Sequence, residues 1–333
     1  MTNGVYLGVD VGSVSTNLVL VKEHKEGRIE LLEKIYMRSE GNPIKSVQYG
    51  LSRLGELIDK HLVLGVGVTG SGRKLIGSLL GADIIKNEIT AHGIAALYED
   101  EKVQTVIEIG GQDSKMILMR QGTVIDFAMN TVCAAGTGSF LDQQAARLNI
   151  PITDFGAIAL KSKYPVRIAG RCSVFAESDM IHKQQMGYPL EDIVAGLCSA
   201  LVRNYLSNVG KGKEILPPVL FQGGVAANAG IKRAFEQEFG FSVKIPQNFE
   251  VMGALGAALL AREAKTQTSS MGSETSNFRG LKLCAQEIKV ESFECPDCPN
   301  HCEVVAVLTG KERIAGWGDR CGKWQHRSNQ AIG

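Results

Sequence analysis

Short apolar runs separated by glycine-rich polar turns dominate most of the chain. Residues 5–21 predict a buried strand, a polar turn and a returning strand, with 29–37 as a third antiparallel strand. Residues 103–127 repeat this plan around an acidic, glycine-containing turn at 110–115. A further glycine turn at 222–228 links an apolar run to a helical pattern. The pattern therefore predicts two similar hairpin units and a later strand-to-helix turn.

Helical periodicity covers the segments between these turns. The predicted helices are 43–60, 88–98, 141–149, 174–185, 190–209, 229–239 and 252–265. Residues 266–277 are polar and unpatterned, which is typical of a flexible linker. We therefore expect a first domain at 1–93, on which helix 252–265 packs, a second domain at 94–251, a linker at 266–280, and a C-terminal module at 281–333.

The composition is that of a soluble globular protein. The 333 residues are 44% hydrophobic and 21% charged, which is enough apolar material for two domains. A formal net charge of +1 gives no indication of nucleic acid or an anionic membrane as a partner. No apolar run approaches the roughly 20 residues that span a bilayer. Without a basic segment and apolar core at the N-terminus, we expect a cytoplasmic protein.

Eight cysteines in such a compartment favour metal or redox chemistry over disulfides. Cys133 begins a turn of small residues, and we expect it in the first turn of the helix that follows. A thiolate there would meet unpaired backbone N–H groups and the positive end of the helix dipole. The alternative is a buried, unreactive cysteine. Cys172 stands in a similar setting before helix 174–185, whereas Cys198 lies on an apolar helix face and is expected in the core.

The polar turns favour nucleotide binding. A hairpin with Asp10, serine and threonine at its tip can wrap a phosphate and hold magnesium, although a plain hairpin has the same pattern. Together with the turns at 110–115 and 222–228, it would let two domains hold one nucleotide. Residues 65–70 also fit the GxGxxG dinucleotide fingerprint, with Glu88 downstream. We discount that fingerprint because hairpin strands precede it, whereas it should open the first strand–helix unit of a Rossmann half.

Four of the cysteines lie close together near the C-terminus, around two predicted strands at 303–308 and 313–317. They are Cys295, Cys298, Cys302 and Cys321. The segment is too short for a hydrophobic core of its own, so the thiols fit a structural metal site. Zinc is favoured over an iron–sulfur cluster, His301 is an alternative ligand, and uncoordinated thiols are the remaining possibility.

Taken together, these motifs resemble the ATP-dependent activators, or reductases, of 2-hydroxyacyl-CoA dehydratases and benzoyl-CoA reductase-type enzymes. The matching segments are residues 8–16, 109–115, 133–138, 170–178 and 222–228. The two cysteine motifs distinguish this branch from sugar kinases and chaperones of the same superfamily. The resemblance implies an α/β, two-lobed actin-like ATPase fold built from duplicated ribonuclease H-like domains, with the C-terminal cysteine-rich module added.

The resemblance also implies two cofactors. Cys133 and Cys172 of each protomer would bind one [4Fe–4S] cluster that bridges a homodimer, since a cubane takes four thiolates. ATP with Mg²⁺ would bind at the turns, Asp10 holding the metal and Gln112 or Asp113 orienting the attacking water. The other implied nucleotide contacts are Gly12, Ser13, Val14, Ser15, Thr16, Gly110, Gly111, Lys115, Gly223, Gly224, Val225 and Asn228.

The implied function is ATP-driven transfer of single low-potential electrons to an iron–sulfur partner. The partner would be a 2-hydroxyacyl-CoA dehydratase, a benzoyl-CoA reductase-type enzyme or a double-cubane-cluster protein, and the donor a ferredoxin or flavodoxin. The C-terminal module departs from the simple activators and leaves the partner open. Two alternatives remain: a sugar or acid kinase of the same superfamily with structural cysteines, and a metal-binding scaffold built on the C-terminal thiols.

Overall fold

Two five-stranded mixed sheets with the same strand order form the body of the protein. The computed structural model describes residues 4–24, 27–268, 276–310 and 312–324. The strands are β1 (Gly4–Val11), β2 (Ser15–Glu23), β3 (Ile29–Arg38), β4 (Leu62–Thr69), β5 (Ile84–Ile85), β6 (Thr105–Ile109), β7 (Ser114–Arg120), β8 (Thr123–Asn130), β9 (Val219–Gln222), β10 (Val243–Lys244), β11 (Ile288–Glu294), β12 (Glu303–Thr309) and β13 (Glu312–Trp317). The helices are α1 (Pro43–Asp59), α2 (Arg73–Leu80), α3 (Glu88–Glu99), α4 (Gly138–Arg147), α5 (Ile152–Leu160), α6 (Ser173–Gln185), α7 (Leu190–Asn208), α8 (Ala229–Phe239) and α9 (Met252–Thr268).

The strand orders reveal an internal duplication. The first sheet runs β3-β2-β1-β4-β5 and the second runs β8-β7-β6-β9-β10. In each sheet order the first three strands form an antiparallel meander, the fourth pairs in parallel with the third, and the fifth pairs in parallel with the fourth. The α/β fold with a duplicated sheet, predicted from the repeated hairpin plan and the resemblance, is confirmed.

The chain divides into two compact units, residues 1–91 with 253–333, and residues 92–252. We call them unit 1 and unit 2. The core of unit 2 is built around α7, whose Tyr205 donates its hydroxyl to the Lys115 carbonyl at 2.7 Å and packs edge-on against Phe235. Cys198, also on α7, is 1% exposed in this core, as its apolar neighbours predicted.

Glycines let α9 approach the sheet of unit 1 closely. A Cβ at Gly8 would lie 2.0 Å from the Ala254 carbonyl oxygen, and one at Gly67 would lie 1.9 Å from that of Ala257. Gly65 and Gly67 therefore lie within β4 and serve helix packing, which explains the apparent dinucleotide fingerprint. Backbone of the Ala/Gly-rich α9 therefore lies directly against β1 and β4.

The C-terminal segment packs on unit 1. Its three strands form a sheet in the order β11-β12-β13, in which β11 was not predicted. Leu283, Val307 and Ala315 join the core of unit 1, and Gln48 of α1 donates to the carbonyl oxygens of Leu283 and Gln286. The segment therefore uses the hydrophobic core of unit 1.

The expected linker at 266–280 lies partly outside the described residues. Helix α9 extends to Thr268, and 276–280 are held against unit 1. Asn277 donates its backbone N–H to Asp83 at 3.1 Å, and Arg279 donates to the Leu80 carbonyl at 3.0 Å. No helix in the described ranges is long and apolar enough to cross a membrane.

Candidate functional site

Cys133 lies at the start of a single 3-10 turn. It caps the turn Ala134–Gly136, and α4 begins only at Gly138. The prediction that Cys133 lies in the first turn of an α-helix is therefore wrong. Thr137 is extended (φ −135°, ψ 170°) and separates the turn from the helix. The thiol faces the N-terminal end of a short turn, and any dipole effect from α4 acts across several residues.

Two asparagines hold the Cys133 segment. The Asn130 amide donates to the Cys133 carbonyl at 2.8 Å, and its oxygen accepts the Cys133 backbone N–H at 2.9 Å. The buried Asn204 side chain of α7 reaches the sulfur itself, with Nδ2 3.7 Å from Cys133 Sγ. A Cβ at Gly136 would lie 2.7 Å from Asn204 Oδ1, so the turn needs glycine there. These contacts fix the direction in which the thiol points.

The second cysteine motif lies beside the first. Cys172 directly precedes α6, in the position predicted. Cys133 Sγ is 4.0 Å from the Arg171 carbonyl oxygen, and Asn204 Nδ2 donates to the Gly170 carbonyl at 2.6 Å. The structure therefore brings the two cysteine segments together on unit 2, and each cysteine is partly exposed.

Exposed apolar side chains surround this cysteine pair. Val132 is 94% exposed, and Val174 and Phe175, in the first turn of α6, are each 67% exposed. Behind them, Arg147 of α4 pairs with Glu177 of α6 at 2.6 Å, so the helices that follow the two cysteines are tied together. Exposed apolar side chains at one place on an otherwise polar surface are typical of an interaction site.

The remaining body cysteine differs sharply from this pair. Burial raises the pKa of the Cys198 thiol to about 12, so this group stays protonated at neutral pH. Burial also raises the pKa of Cys284, at the base of the C-terminal segment. Thiolate chemistry at neutral pH is therefore disfavoured at both positions.

In unit 1, two glycine turns close around the end of β1. Gly12 donates to the Ser15 carbonyl at 2.9 Å, and Gly72 donates to the Val11 carbonyl at 2.9 Å. A Cβ at Gly70 would lie 2.6 Å from the Asp10 carboxylate, so main chain lies directly against this acid. The turn 70–72 was not among the predicted site residues, although its glycines are visible in the sequence.

The side chains predicted in the first turn have different surroundings. Ser13 is exposed, whereas Val14 and Ser15 are partly buried. Thr16 is fully buried, and its hydroxyl bonds to that of Ser39 at 2.8 Å. The Val14 carbonyl accepts the Ser39 backbone N–H. The Thr16 hydroxyl is thus already engaged inside the sheet.

In unit 2, the turn 110–113 is supported by a buried ion group. Lys115 Nζ is 2.9 Å from Glu108 and 2.8 Å from Asp113, and the Lys115 side chain is 3% exposed. Gly110 donates to the Asp113 carbonyl at 3.0 Å and closes the turn. Gln112 at the tip is exposed. Glu108 was not predicted, although the hairpin register that sets it opposite Lys115 could have been drawn from the sequence.

The turn 110–113 is hydrogen-bonded to the cysteine segment. Gly138 donates its backbone N–H to the Gly110 carbonyl at 2.9 Å, and Ser139 donates to the Gly111 carbonyl at 2.8 Å. The Ser139 hydroxyl also reaches the Gly111 carbonyl, at 2.5 Å. The first residues of α4 therefore contact the predicted phosphate turn directly.

The third glycine turn adjoins the same edge of the second sheet. Gly223 has φ +86° and ψ 167°, a conformation open almost only to glycine, and a Cβ there would lie 2.5 Å from the Ile109 carbonyl oxygen. Gly224 and Val225 lie in a 3-10 turn. Asn228 caps α8, and its side-chain oxygen accepts the Gly230 and Ile231 N–H groups.

Several polar side chains are buried near the ends of β6 and β9, where these glycine turns begin. His92 Nδ1 is 2.8 Å from Gln222 Nε2, and burial lowers the pKa of His92 to about 3, aided by the nearby Lys115 charge. Within the described residues, Gln222 Oε1 and Ser114 Oγ are buried without a hydrogen-bond partner. Such atoms need a polar partner, and a bound polar ligand or water supplies one.

The C-terminal cysteines lie at one end of their sheet. Cys295 follows β11, Cys302 precedes β12, and Cys321 follows β13. Cys295 Sγ accepts the indole N–H of Trp324 at 3.2 Å, whereas Cys298 and Cys321 are exposed. No group of three or more His, Cys, Asp or Glu side chains is placed to hold a metal ion, here or elsewhere in the described residues. The assignment of Cys295, Cys298, Cys302 and Cys321 as metal ligands therefore stays a prediction.

Comparison with known proteins gives a consistent result. The chain matches the model of the BadF/BadG/BcrA/BcrD ATPase family over residues 7–261. It is 34% identical over 255 residues to the (R)-2-hydroxyglutaryl-CoA dehydratase activating ATPase of Acidaminococcus fermentans, covering 77% of this chain and 96% of that protein. It is 27% identical over 180 residues to one of the benzoyl-CoA reductase polypeptides of Thauera aromatica, covering 51% of this chain and 63% of that protein.

A solved structure supports the same relationship. The activator of the 2-hydroxyisocaproyl-CoA dehydratase from Clostridium difficile, with bound ADPNP, superposes with a TM-score of 0.71 at 30% identity. The superposition covers 82% of this chain and 99% of that one. The family match covers both cysteine segments, the glycine turns of both units, and the two duplicated sheets apart from the first three residues of β1. The chain therefore belongs to the BadF/BadG/BcrA/BcrD ATPase family.

Proposed function

We propose that this protein is an ATP-hydrolysing reductase that passes single low-potential electrons from a [4Fe–4S] cluster, bridging a homodimer, to an iron–sulfur partner enzyme. The observation that carries the proposal is that Cys133 and Cys172, both partly exposed on unit 2, lie in two segments that Asn204 joins through Cys133 Sγ and the Gly170 carbonyl. The relatives' names point to a partner of the 2-hydroxyacyl-CoA dehydratase or benzoyl-CoA reductase type.

The cysteine pair fits half of a cluster site. A cubane takes four thiolates, and unit 2 presents two, so a second copy related by a twofold axis supplies the other two. The exposed Val132, Val174 and Phe175 beside the thiols provide apolar surface for such a contact. Asn204 offers an N–H to the Cys133 sulfur. When bound, a [4Fe–4S] cluster supplies one-electron transfer at low potential.

The glycine turns fit a nucleotide. Main chain at Gly223 and Gly70 approaches its neighbours more closely than any side chain would allow, which suits backbone contact with phosphate or adenosine. Asp10 would hold Mg²⁺. Asp113 is ion-paired with Lys115, whereas Gln112 is exposed at the tip of its turn. We therefore assign the orientation of the attacking water to Gln112, since phosphoryl transfer needs positioning above all.

Coupling between the two activities follows from the bonds between the turn 110–113 and α4. A change at Gly110 and Gly111 on ATP binding or hydrolysis would be passed through Gly138 and Ser139 to the Cys133 segment. The orientation of the thiols across the homodimer would change, and with it docking on the acceptor. This makes electron transfer depend on the state of the nucleotide.

The test is anaerobic purification of the full chain with iron analysis, absorption and EPR spectra. We expect a brown dimer with about two irons per chain, and loss of the signal in Cys133→Ala and in Cys172→Ala. Cys284→Ala is the matched control, because this partly buried thiol lies in the C-terminal segment, and it should keep the signal. A colourless protein that phosphorylates a sugar or organic acid would instead establish a kinase.

A further inference from the structure

Unit 2 contains a large cleft next to the cysteine pair. Its volume is about 1030 Å³, and it lies between α6, α7 and the extended segment 167–171. Arg203 and Asn204 of α7 and Phe175 of α6 are among its lining residues. All lining residues belong to unit 2, so the shape of the cleft does not depend on the position of unit 1.

The cleft is strongly basic. Its lining carries Arg167, Arg171, Lys183 and Arg203, and Asp179 is the only carboxylate among the lining residues. Asp179 already accepts the Ala169 backbone N–H at 2.8 Å. Neither Arg167 nor Arg171 forms an ion pair within the described ranges of the chain. Since the whole protein has a net charge of only +1, this is a local concentration of positive charge.

The positive charges oppose one another. Burial, and next the charge of Arg167, lower the pKa of Arg203. Arg203 donates to the Ile168 carbonyl at 2.7 Å, which holds the guanidinium in place against that repulsion. The carboxylate of Glu238 acts in the opposite direction on Arg203, but burial and the charge of Arg167 outweigh it. Cations that outnumber the nearby carboxylates are stabilised by an external anion.

The cleft leads directly to Cys133. Asn204 lines the cleft and places its Nδ2 3.7 Å from Cys133 Sγ. Arg171 also lines the cleft, and its carbonyl oxygen is 4.0 Å from the same sulfur. Two residues of the cleft wall, Arg171 and Asn204, therefore contact the Cys133 thiol directly.

We propose that this basic cleft is the docking site for the acidic surface of the protein that supplies electrons to the cluster. The inference rests on the proposed function. Arginine is enriched in protein interfaces, and Arg167, Arg171 and Arg203 all line this cleft. One electron passes from the reduced donor to the cluster, and no covalent bond forms or breaks.

Two features favour a donor protein over other occupants. Arg167, Arg171 and His182 are exposed at the rim, whereas a small-ligand site encloses most of its ligand. The proposed docking of the acceptor depends on the nucleotide state through the Cys133 segment, whose residues do not line the cleft. A surface outside that segment suits a donor, which must reload the cluster between those states.

The test compares how fast a donor protein and a small chemical reductant each reduce the cluster of the anaerobically purified full chain. The probe is an acidic two-cluster ferredoxin reduced beforehand, and titanium(III) citrate is the small reductant. We expect the double variant Arg167→Glu/Lys183→Glu to be reduced by ferredoxin at least about tenfold more slowly at low ionic strength, with a weaker salt dependence. Reduction by titanium(III) citrate and the iron content should be unchanged. Lys161→Glu, an exposed charge reversal elsewhere on unit 2, is the matched control.

Each outcome bears on a distinct claim. Equal ferredoxin rates for the double variant and wild type would overturn the docking site, as would an equal loss in the Lys161→Glu control. Normal ferredoxin reduction together with impaired activation of a partner enzyme would assign the cleft to the acceptor and also overturn it. Absence of iron and of iron–sulfur absorption in the purified wild-type protein, or absence of an EPR signal after reduction with titanium(III) citrate, would overturn the proposed function itself.

Discussion

His92 makes the stability of unit 2 depend on pH in a predictable way. The imidazole is 5% exposed, and its Nδ1 lies 2.8 Å from the amide nitrogen of Gln222 at the end of β9. Burial first, and the positive charge of Lys115 second, lower its pKa from 6.5 to about 3. The folded protein therefore holds His92 neutral throughout the range in which an unfolded chain would protonate it.

The sign of the effect follows from this difference. The unfolded state binds the proton more tightly, so stability is lost as the pH falls below about 6.5 and continues to fall until about pH 3. From about pH 7.5 to about pH 5.5, the loss attributable to His92 is about 1.4 kcal/mol, since each pH unit below the unfolded pKa costs about 1.4 kcal/mol.

The assay is urea-induced unfolding of wild type and His92→Gln at these two pH values. Glutamine keeps an amide opposite Gln222 but does not titrate, so the variant should lose about 1.4 kcal/mol less than wild type on acidification. His182→Gln, an exposed histidine of the same unit, should lose as much as wild type. An unchanged pH dependence in His92→Gln would show that His92 is not held neutral.

Three further perturbations test individual contacts at the site. Asn204→Ala removes an N–H donor to the Cys133 sulfur. Since such a hydrogen bond contributes about 1 kcal/mol, alkylation of Cys133 in the metal-free variant should be roughly fivefold slower than in wild type. Equal alkylation rates would exclude that contact. Lys115→Met leaves two carboxylates without their buried partner and should lower the free energy of unfolding by about 3–5 kcal/mol; a loss below about 1 kcal/mol in urea unfolding would contradict it. Gly223→Ala should cost about 1–3 kcal/mol and weaken ATP binding measured by calorimetry, whereas Gly187→Ala, also at positive φ but in open space, should leave ATP binding unchanged.

The sequence predicted the features that depend on local pattern. Apolar runs bounded by glycine gave both hairpins, and the repetition of that plan anticipated the matching strand orders. The helix start at Cys133 was wrong because a run of small residues suits a 3-10 turn as well as an α-helix. Only the extended Thr137, which separates the two, decides between them. β11 was missed because most of its residues are exposed, so its sequence lacks the clear pattern of a half-buried strand.

Contacts between distant segments could not be predicted from the sequence. Asn204 is 71 positions from Cys133 and lies in a helix whose other residues indicate only a buried core. Gly65 and Gly67 imitate a dinucleotide fingerprint because close packing of α9 and close approach of a phosphate both require a missing Cβ. Only the position of the neighbouring backbone separates these two explanations.

The Cys133 segment is anchored at both ends to the same hairpin. At one end, Asn130 is paired with Ser114 in the β7–β8 register, directly after the turn 110–113. At the other end, Ser139 is bonded to the Gly111 carbonyl on the opposite side of that turn. A displacement of the turn therefore moves both anchors together, and the segment between them must move as a body. Because Asn204 of α7 contacts the sulfur from outside the segment, such a displacement would move the sulfur relative to α7.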